Sequence, residues 1–219
     1  MAAYRRIGDL PQVIPVFPLD GALLLPGGEL PLQIFEPRYL NMIDDAMAGD
    51  RIVGMVQTKP GGDRVRPNLA GVGCMGRITA FSETSDGRYL ITLTGVCRFN
   101  VGEELPVRTP YRQVRADYGP YADDLTDGPE ASSEFDRRRF AQALKRYLNR
   151  RELDIDWETA ESAPLDILVT SLAMGLPFDP AEKQALLEAP DMTCRCEALT
   201  ALLEIDAMGD GDDEPQSMQ

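Results

Sequence analysis

The chain has 219 residues, 43% of them hydrophobic, enough for one large or two small domains with a buried core. It has no histidine and only four cysteines, which removes the commonest general base and metal ligand and argues against a disulfide framework. Residues 1–120 carry 13 basic and 13 acidic side chains, whereas residues 121–219 carry 9 and 23, so the whole net charge of −14 sits in the second half; such a surface repels phosphate backbones and argues against nucleic acid as a partner.

The N-terminal "MAAYRRIGDLPQ" has two arginines but no apolar stretch behind them, so it does not read as a signal peptide. No apolar run reaches the ~18 residues of a membrane helix. A cytoplasmic protein with no membrane partner is expected. "VIPVF" and "ELPLQIF" are short β-rich runs around the turn cluster "LPGGEL". Pro15 and Pro31 place these strands at sheet edges or ends. "EPRYLNMIDDAMAGD" reads as a helix with Pro37 at its first position, Leu40, Ile43 and Met47 on one face, and Gly49 as the stop. "RIVGMVQ" is an unbroken apolar run of strand length, as expected of a strand buried on both faces.

Residues 69–101 give the clearest β pattern. Val72, Cys74, Ile78 and Ala80 alternate with exposed positions. After "SDG", Tyr89, Ile91, Leu93, Cys97, Phe99 and Val101 share a face opposite Thr92, Thr94 and Arg98. Asp86-Gly87 reads as a two-residue hairpin turn with positive φ at both positions. Glycines 71, 73, 76 and 95 mark bends or bulges that let a sheet curl. "YRQVRADYGPY" returns as a last strand. The expected first domain is therefore a small barrel-like sheet over residues 12–120.

"YADDLTDGPEASS" is polar and turn-rich, so residues 121–131 are expected to be a linker. Helices are expected over residues 132–207 as a bundle. Phe140, Ala143, Leu144, Tyr147 and Leu148 keep a helical period, and so do Leu165, Leu168, Val169, Leu172 and Leu176. Asp179, Pro180 and Glu182 form a capping box; Asp191 caps a last helix that places Met192, Cys196, Leu199 and Leu203 together. The tail, residues 208–219, has no apolar anchor and is expected to be disordered.

Little in this pattern points to catalysis, a metal or a cofactor. Cys194 and Cys196 lie ~200° apart on a helix and cannot share a metal. Cys74 and Cys97 read as small core residues. "LPGGEL" lacks the spacing of a phosphate loop, and no nucleophile elbow occurs. None of the three lysines, Lys59, Lys145 and Lys183, reads as desolvated. The basic run at 137–139 is expected to make ion pairs between helices. "DIDWE" and "DGDDE" lack calcium-loop spacing and read as solvated surface. Glu36, Arg38 and Tyr39 flank the sheet-to-helix junction, either as a ligand clamp or as a brace at the helix start.

Residues 17–43, "FPLDGALLLPGGELPLQIFEPRYLNMI", resemble the start of the N-terminal domain of Lon proteases. The resemblance is carried by Phe17-Pro18-Leu19, Leu25-Pro26-Gly27, Leu30-Pro31-Leu32, Ile34-Phe35-Glu36 and Arg38-Tyr39. It continues in "GVGCMGRITAF" and "GRYLITLTGVCRFNV", and the helical "PFDPAEKQALLEAPDMTCRCEALTALL" is similar to the helices of stand-alone bacterial members. The resemblance implies an α+β fold: a PUA-like β pseudo-barrel followed by a C-terminal helical bundle. It also implies substrate engagement without Lon's ATPase and Ser-Lys protease modules.

The expected function is therefore binding of unfolded or extended polypeptide by a non-catalytic adaptor or quality-control factor. The alternatives are a PUA-like RNA binder and a cryptic hydrolase. The expected contact surface is Leu23, Leu24, Leu25 and Pro26, because strand alternation buries only every second leucine. The alternative is a loop that folds them inward. Glu36, Arg38 and Tyr39 complete the candidate binding residues. Neither the partner's identity nor an oligomeric state follows from these residues.

Overall fold

The computed structural model describes residues 4–62, 66–126 and 135–208. They form two compact units, residues 4–126 with 170–188 and residues 135–169 with 189–208. The first unit is built on six strands: β1 (Val13–Pro18), β2 (Glu29–Ile34), β3 (Ile52–Gly62), β4 (Pro67–Glu83), β5 (Tyr89–Glu104) and β6 (Arg112–Asp117). Their order is β2-β5-β4-β3-β1-β6, and β6 also pairs with β5. Five strands therefore close into a ring, and β2 is left outside it. At 16 residues β5 is long enough for both roles: Tyr89 to Thr94 pair with β2, and Asn100 to Glu104 pair with β6. All pairs are antiparallel except β1 with β3.

The ring encloses a core that includes Ile14, Val16, Val56, Met75, Phe99 and Val114. In β3, Ile52 to Gln57 are buried without a break, as the apolar run requires. Three local details depart from the simple pattern. A register shift between Ile78 and Ala80 inserts one extra residue into β4, so Ala80 is exposed although strict alternation puts it inside. The β4–β5 hairpin uses a three-residue loop: the Gly87 N–H donates to the Thr84 carbonyl at 3.0 Å, and only Gly87 takes a positive φ, +78°. Arg98 does not face solvent; it is 4% exposed.

Helix α1 (Pro37–Ala48) starts at Pro37 and is stopped by Gly49, but its buried stripe is Tyr39, Met42, Ile43 and Ala46. Leu40 and Met47 are half-buried beside it. The segment expected to be a linker begins instead with a 3₁₀ helix, Gly119–Leu125. Its Asp124 carboxylate accepts from Arg98 Nε at 2.9 Å and Nη2 at 2.8 Å. Residues 127–131 lie outside the described residues, as do residues 209–219 of the expected disordered tail.

Helices follow the sheet, as expected of an α+β fold, and they divide between the two units. Helix α2 (Arg137–Arg150), α3 (Trp157–Ser162), the start of α4 (Leu165–Gly175) and α6 (Met192–Met208) belong to the second unit; the rest of α4 and α5 (Pro180–Glu188) belong to the barrel unit. The physical reason lies in α5. Its Gln184 amide donates to the Val72 carbonyl of β4 at 3.1 Å, and Gln57 of β3 donates to the Pro180 carbonyl at 3.0 Å. The capping box at Asp179 and Glu182 closes with two 2.8 Å bonds. In the second unit, α2 buries Phe140, Ala143, Leu144, Tyr147 and Leu148 as its period requires. Arg139 pairs with Glu204 across to α6, with Nε to Oε1 at 2.8 Å. Helix α3 had no apolar period to signal it. Asp156 caps it by accepting from the Thr159 N–H at 3.2 Å, which explains part of the "DIDWE" run.

Among the described residues, no helix is long and apolar enough to cross a membrane.

Candidate functional site

The three leucines are not a contact surface. Leu23, Leu24 and Leu25 are 2%, 1% and 0% exposed, and only Pro26 is half-buried. The alternation rule fails because residues 22–25 are not a strand. They form a loop that folds back over β4 and β5. The loop is pinned by the Gly27 N–H to the Gly95 carbonyl at 3.0 Å and the Gly95 N–H to the Gly28 carbonyl at 2.8 Å. The strand glycines make this approach possible. A Cβ on Gly95 would lie 2.0 Å from the Leu25 carbonyl oxygen, and one on Gly76 would lie 2.7 Å from Leu24 Cδ2. Glycines read as bends are thus landing sites for the loop.

Arg38 and Tyr39, by contrast, line a cleft of about 720 Å³ at one end of the barrel. The cleft gathers the exit of β1, the start of α1, the far end of β3, and the loop from β5 into β6. Tyr39 is 6% exposed; its ring stacks on Phe17 at 4.2 Å and lies under the Arg38 guanidinium at 4.5 Å. Arg38 Nε also donates to Glu36 Oε2 at 2.9 Å. Glu36 sits at the N-cap position of α1 without making a side-chain capping bond. Burial raises the Tyr39 phenol above its ordinary pKa, against the opposing pull of Arg38, so it is a neutral donor.

The opposite wall is held by a charge cluster. Arg112 grips Glu104 with two bonds, 3.1 Å from Nε and 2.6 Å from Nη2, and donates from Nη1 to the Pro67 carbonyl at 2.6 Å. Arg66 pairs with the same Glu104 carboxylate. Arg112, then Arg66, hold the Glu104 carboxyl below the usual range, although partial burial opposes them. Tyr111 donates to Asp45 Oδ2 at 2.6 Å, and burial followed by that bond pushes its phenol up to about 12.

Two cations of the barrel unit are buried by contacts with residues distant in sequence. Arg98 shares the outer strand face with Thr92 and Thr94, but the 3₁₀ segment and α5 cover it. Besides Asp124 it donates to the Leu187 carbonyl at 3.2 Å and stacks over Tyr121 at 4.7 Å. Lys183, near the start of α5, departs from the expectation that none of the lysines is desolvated. It is 8% exposed, its amine donates to the Gly21 carbonyl at 2.7 Å, and desolvation lowers its pKa. Both tie elements of the barrel unit together. The four cysteines are free, and burial pushes the Cys97 thiol up to about 12, consistent with a core role.

A second surface is the outer edge of the sheet. β2 pairs with β5 alone, and among the described residues no strand covers its other edge. Glu29, Pro31 and Gln33 are exposed along it. Gln33 stands opposite Leu90, which is 43% exposed, and Phe35 at the strand's exit is 62% exposed. Phe81 on β4 is 41% exposed, with its ring 5.0 Å from that of Tyr89. Large apolar side chains beside an unpaired strand edge are what an added strand of another chain would use.

A family model described as the ATP-dependent protease La (LON) substrate-binding domain matches residues 13–204. Lon protease 2 of Myxococcus xanthus is 28% identical over 206 residues, covering 89% of this chain and 24% of the relative. The Lon protease of Roseiflexus castenholzii is 26% identical over 201 residues, covering 90% and 24%. The chain thus spans about a quarter of the length of these relatives. In fold it is similar to a Lon N-terminal domain protein from Xanthomonas campestris, with a TM-score of 0.60 and 24% identity over 86% of this chain and 97% of that one. It is also similar to the N-terminal domain of a Mycobacterium avium complex Lon protease, with a TM-score of 0.56 and 21% identity over 91% and 99%.

Proposed function

The chain belongs to the family of the Lon substrate-binding domain, and from that premise we propose that it binds unfolded or extended polypeptide as a non-catalytic adaptor or quality-control module. The observation that carries the reading is the open edge of β2 with Phe35 and Leu90 beside it. An extended chain laid along that edge gains main-chain hydrogen bonds that ignore sequence, and its alternate side chains reach the apolar positions. That combination suits a partner recognised by its lack of structure.

The test uses reduced, fluorescein-labelled α-lactalbumin as an unfolded probe, with anisotropy as the readout. Phe35→Ser and Leu90→Ser remove exposed apolar surface without emptying the core. Each is expected to weaken binding by about fivefold or more and to leave the melting temperature nearly unchanged. Unchanged affinity in both variants would place polypeptide binding elsewhere.

A further inference from the structure

We propose that Pro31 sets the specificity of the β2 edge: it leaves the edge able to take an extended strand of another polypeptide while preventing it from pairing with the same edge of a second copy. This rests on the polypeptide-binding reading and adds to it the exclusion of self. The ladder with β5 shows which main-chain groups are free. The Gly95 N–H donates to the Gly28 carbonyl at 2.8 Å, just before Glu29 pairs with Thr94. In an antiparallel pair, the residues that exchange bonds with the partner strand alternate. Leu30, Leu32 and Ile34 therefore bond to β5, and Glu29, Pro31 and Gln33 turn their main-chain groups to the open edge. All three have a carbonyl to offer there, but Pro31 has no N–H. Along β2 the edge thus has donors at Glu29 and Gln33 with a gap between them.

Symmetry makes that gap count twice in self-pairing. Two copies joined edge to edge in one sheet are related by a two-fold axis, so their β2 strands run antiparallel and the same residues face each other from both sides. Centred on Pro31, the pairing sets Pro31 opposite Pro31 and Glu29 opposite Gln33. Moving the centre one residue either way sets Pro31 opposite Glu29 or opposite Gln33. In each of these registers both copies bring their proline, and two carbonyls face a position without a donor. Any other two-fold register brings at most one pair of outward β2 residues together, too few bonds to hold two molecules. A foreign strand meets Pro31 only once. Its residue opposite Pro31 still donates to the Pro31 carbonyl, and only its own carbonyl goes without a partner. The apolar side chains that draw a foreign strand, Phe35 at 62% and Leu90 at 43% exposed, would draw a second copy equally. The missing N–H is what discriminates between the two.

Sedimentation velocity over a range of protein concentrations compares the unsubstituted chain with Pro31→Thr and Pro31→Val. Pro31 is exposed, and both replacements favour extended backbone, so neither empties the core. One replacement is polar and the other apolar, so a shared effect comes from the restored N–H. Each variant is expected to self-associate at least about tenfold more tightly than the unsubstituted chain, since two hydrogen bonds return per interface. Binding of reduced, fluorescein-labelled α-lactalbumin, measured at protein concentrations too low for self-association, is expected to tighten only about threefold, since one bond returns. Amide exchange of the associated variants is expected to show new protection within Glu29–Ile34. Unchanged self-association in both variants overturns the proposal. So does association that leaves β2 exchange unprotected, or an equal gain for both kinds of partner. If α-lactalbumin still binds through the β2 edge while neither variant self-associates, the exclusion of self alone fails. Absence of α-lactalbumin binding in every form removes the underlying reading, and the selectivity with it.

Discussion

Replacing Leu24 by Ala should cost far more than replacing Leu90 by Ala, although both leucines lie within or beside the segment that opens the sheet. Leu24 is 1% exposed, and its Cδ2 lies against Gly76 of β4. Truncation to Ala removes three carbons, a transfer loss of ~2.4 kcal/mol at ~0.8 kcal/mol per carbon. The cavity left behind raises this toward ~5 kcal/mol, because glycines beneath the loop offer no side chain to move into the space. Leu90 is 43% exposed, and its truncation should cost under ~1 kcal/mol. Native-state hydrogen exchange of the β4 and β5 amides reads this best, since Trp157 lies in the other unit and does not report on the barrel. A Leu24→Ala cost below ~1 kcal/mol, or equal to that of Leu90→Ala, would refute the inward placement of the loop.

Asp124→Asn should destabilise the barrel unit by ~3–5 kcal/mol, because Arg98 is left charged in a site where its side chain is 5% exposed; urea unfolding should show the double change Arg98→Met with Asp124→Leu recovering much of the loss. Asp179→Ala should cost ~0.5–2 kcal/mol and speed amide exchange at the start of α5, because the Glu182 N–H loses its 2.8 Å acceptor. Glu104 has a folded pKa depressed by Arg112 and Arg66. Its stabilisation is therefore complete above the unfolded carboxylate pKa of ~4.3 and is lost as pH falls through the lower folded value. Glu104→Gln should accordingly melt below the unsubstituted protein by a wider gap at pH 7 than at pH 3. An equal gap at both pH values would deny the ion cluster its role.

Much of the barrel is written locally. The unbroken run in β3, the alternation in β5, Pro37 at the start of α1 and the Asp179 capping box are each decided by residues within a turn or a strand of one another. What escaped was set by distant partners. Three adjacent leucines carry no sign of the Gly76 and Gly95 surface that receives them. Arg98 looks like a solvent-facing strand residue until Asp124, 26 positions later, is brought against it. Lys183 lies 162 positions from the Gly21 carbonyl that holds it. Within the candidate site, Arg38 and Tyr39 were marked by the helix start. The wall made by Arg66, Glu104 and Arg112 had no local signal, because barrel closure alone joins it.

Polypeptide binding through the open edge is tested most directly by amide hydrogen exchange of the intact protein, with and without saturating reduced α-lactalbumin. An added strand must engage the amides of β2 that β5 leaves free. New protection is therefore expected within Glu29–Ile34 and at Phe35, with little change in the ring core around Phe99. Binding that leaves β2 exchange unchanged while protecting another surface would contradict the assignment.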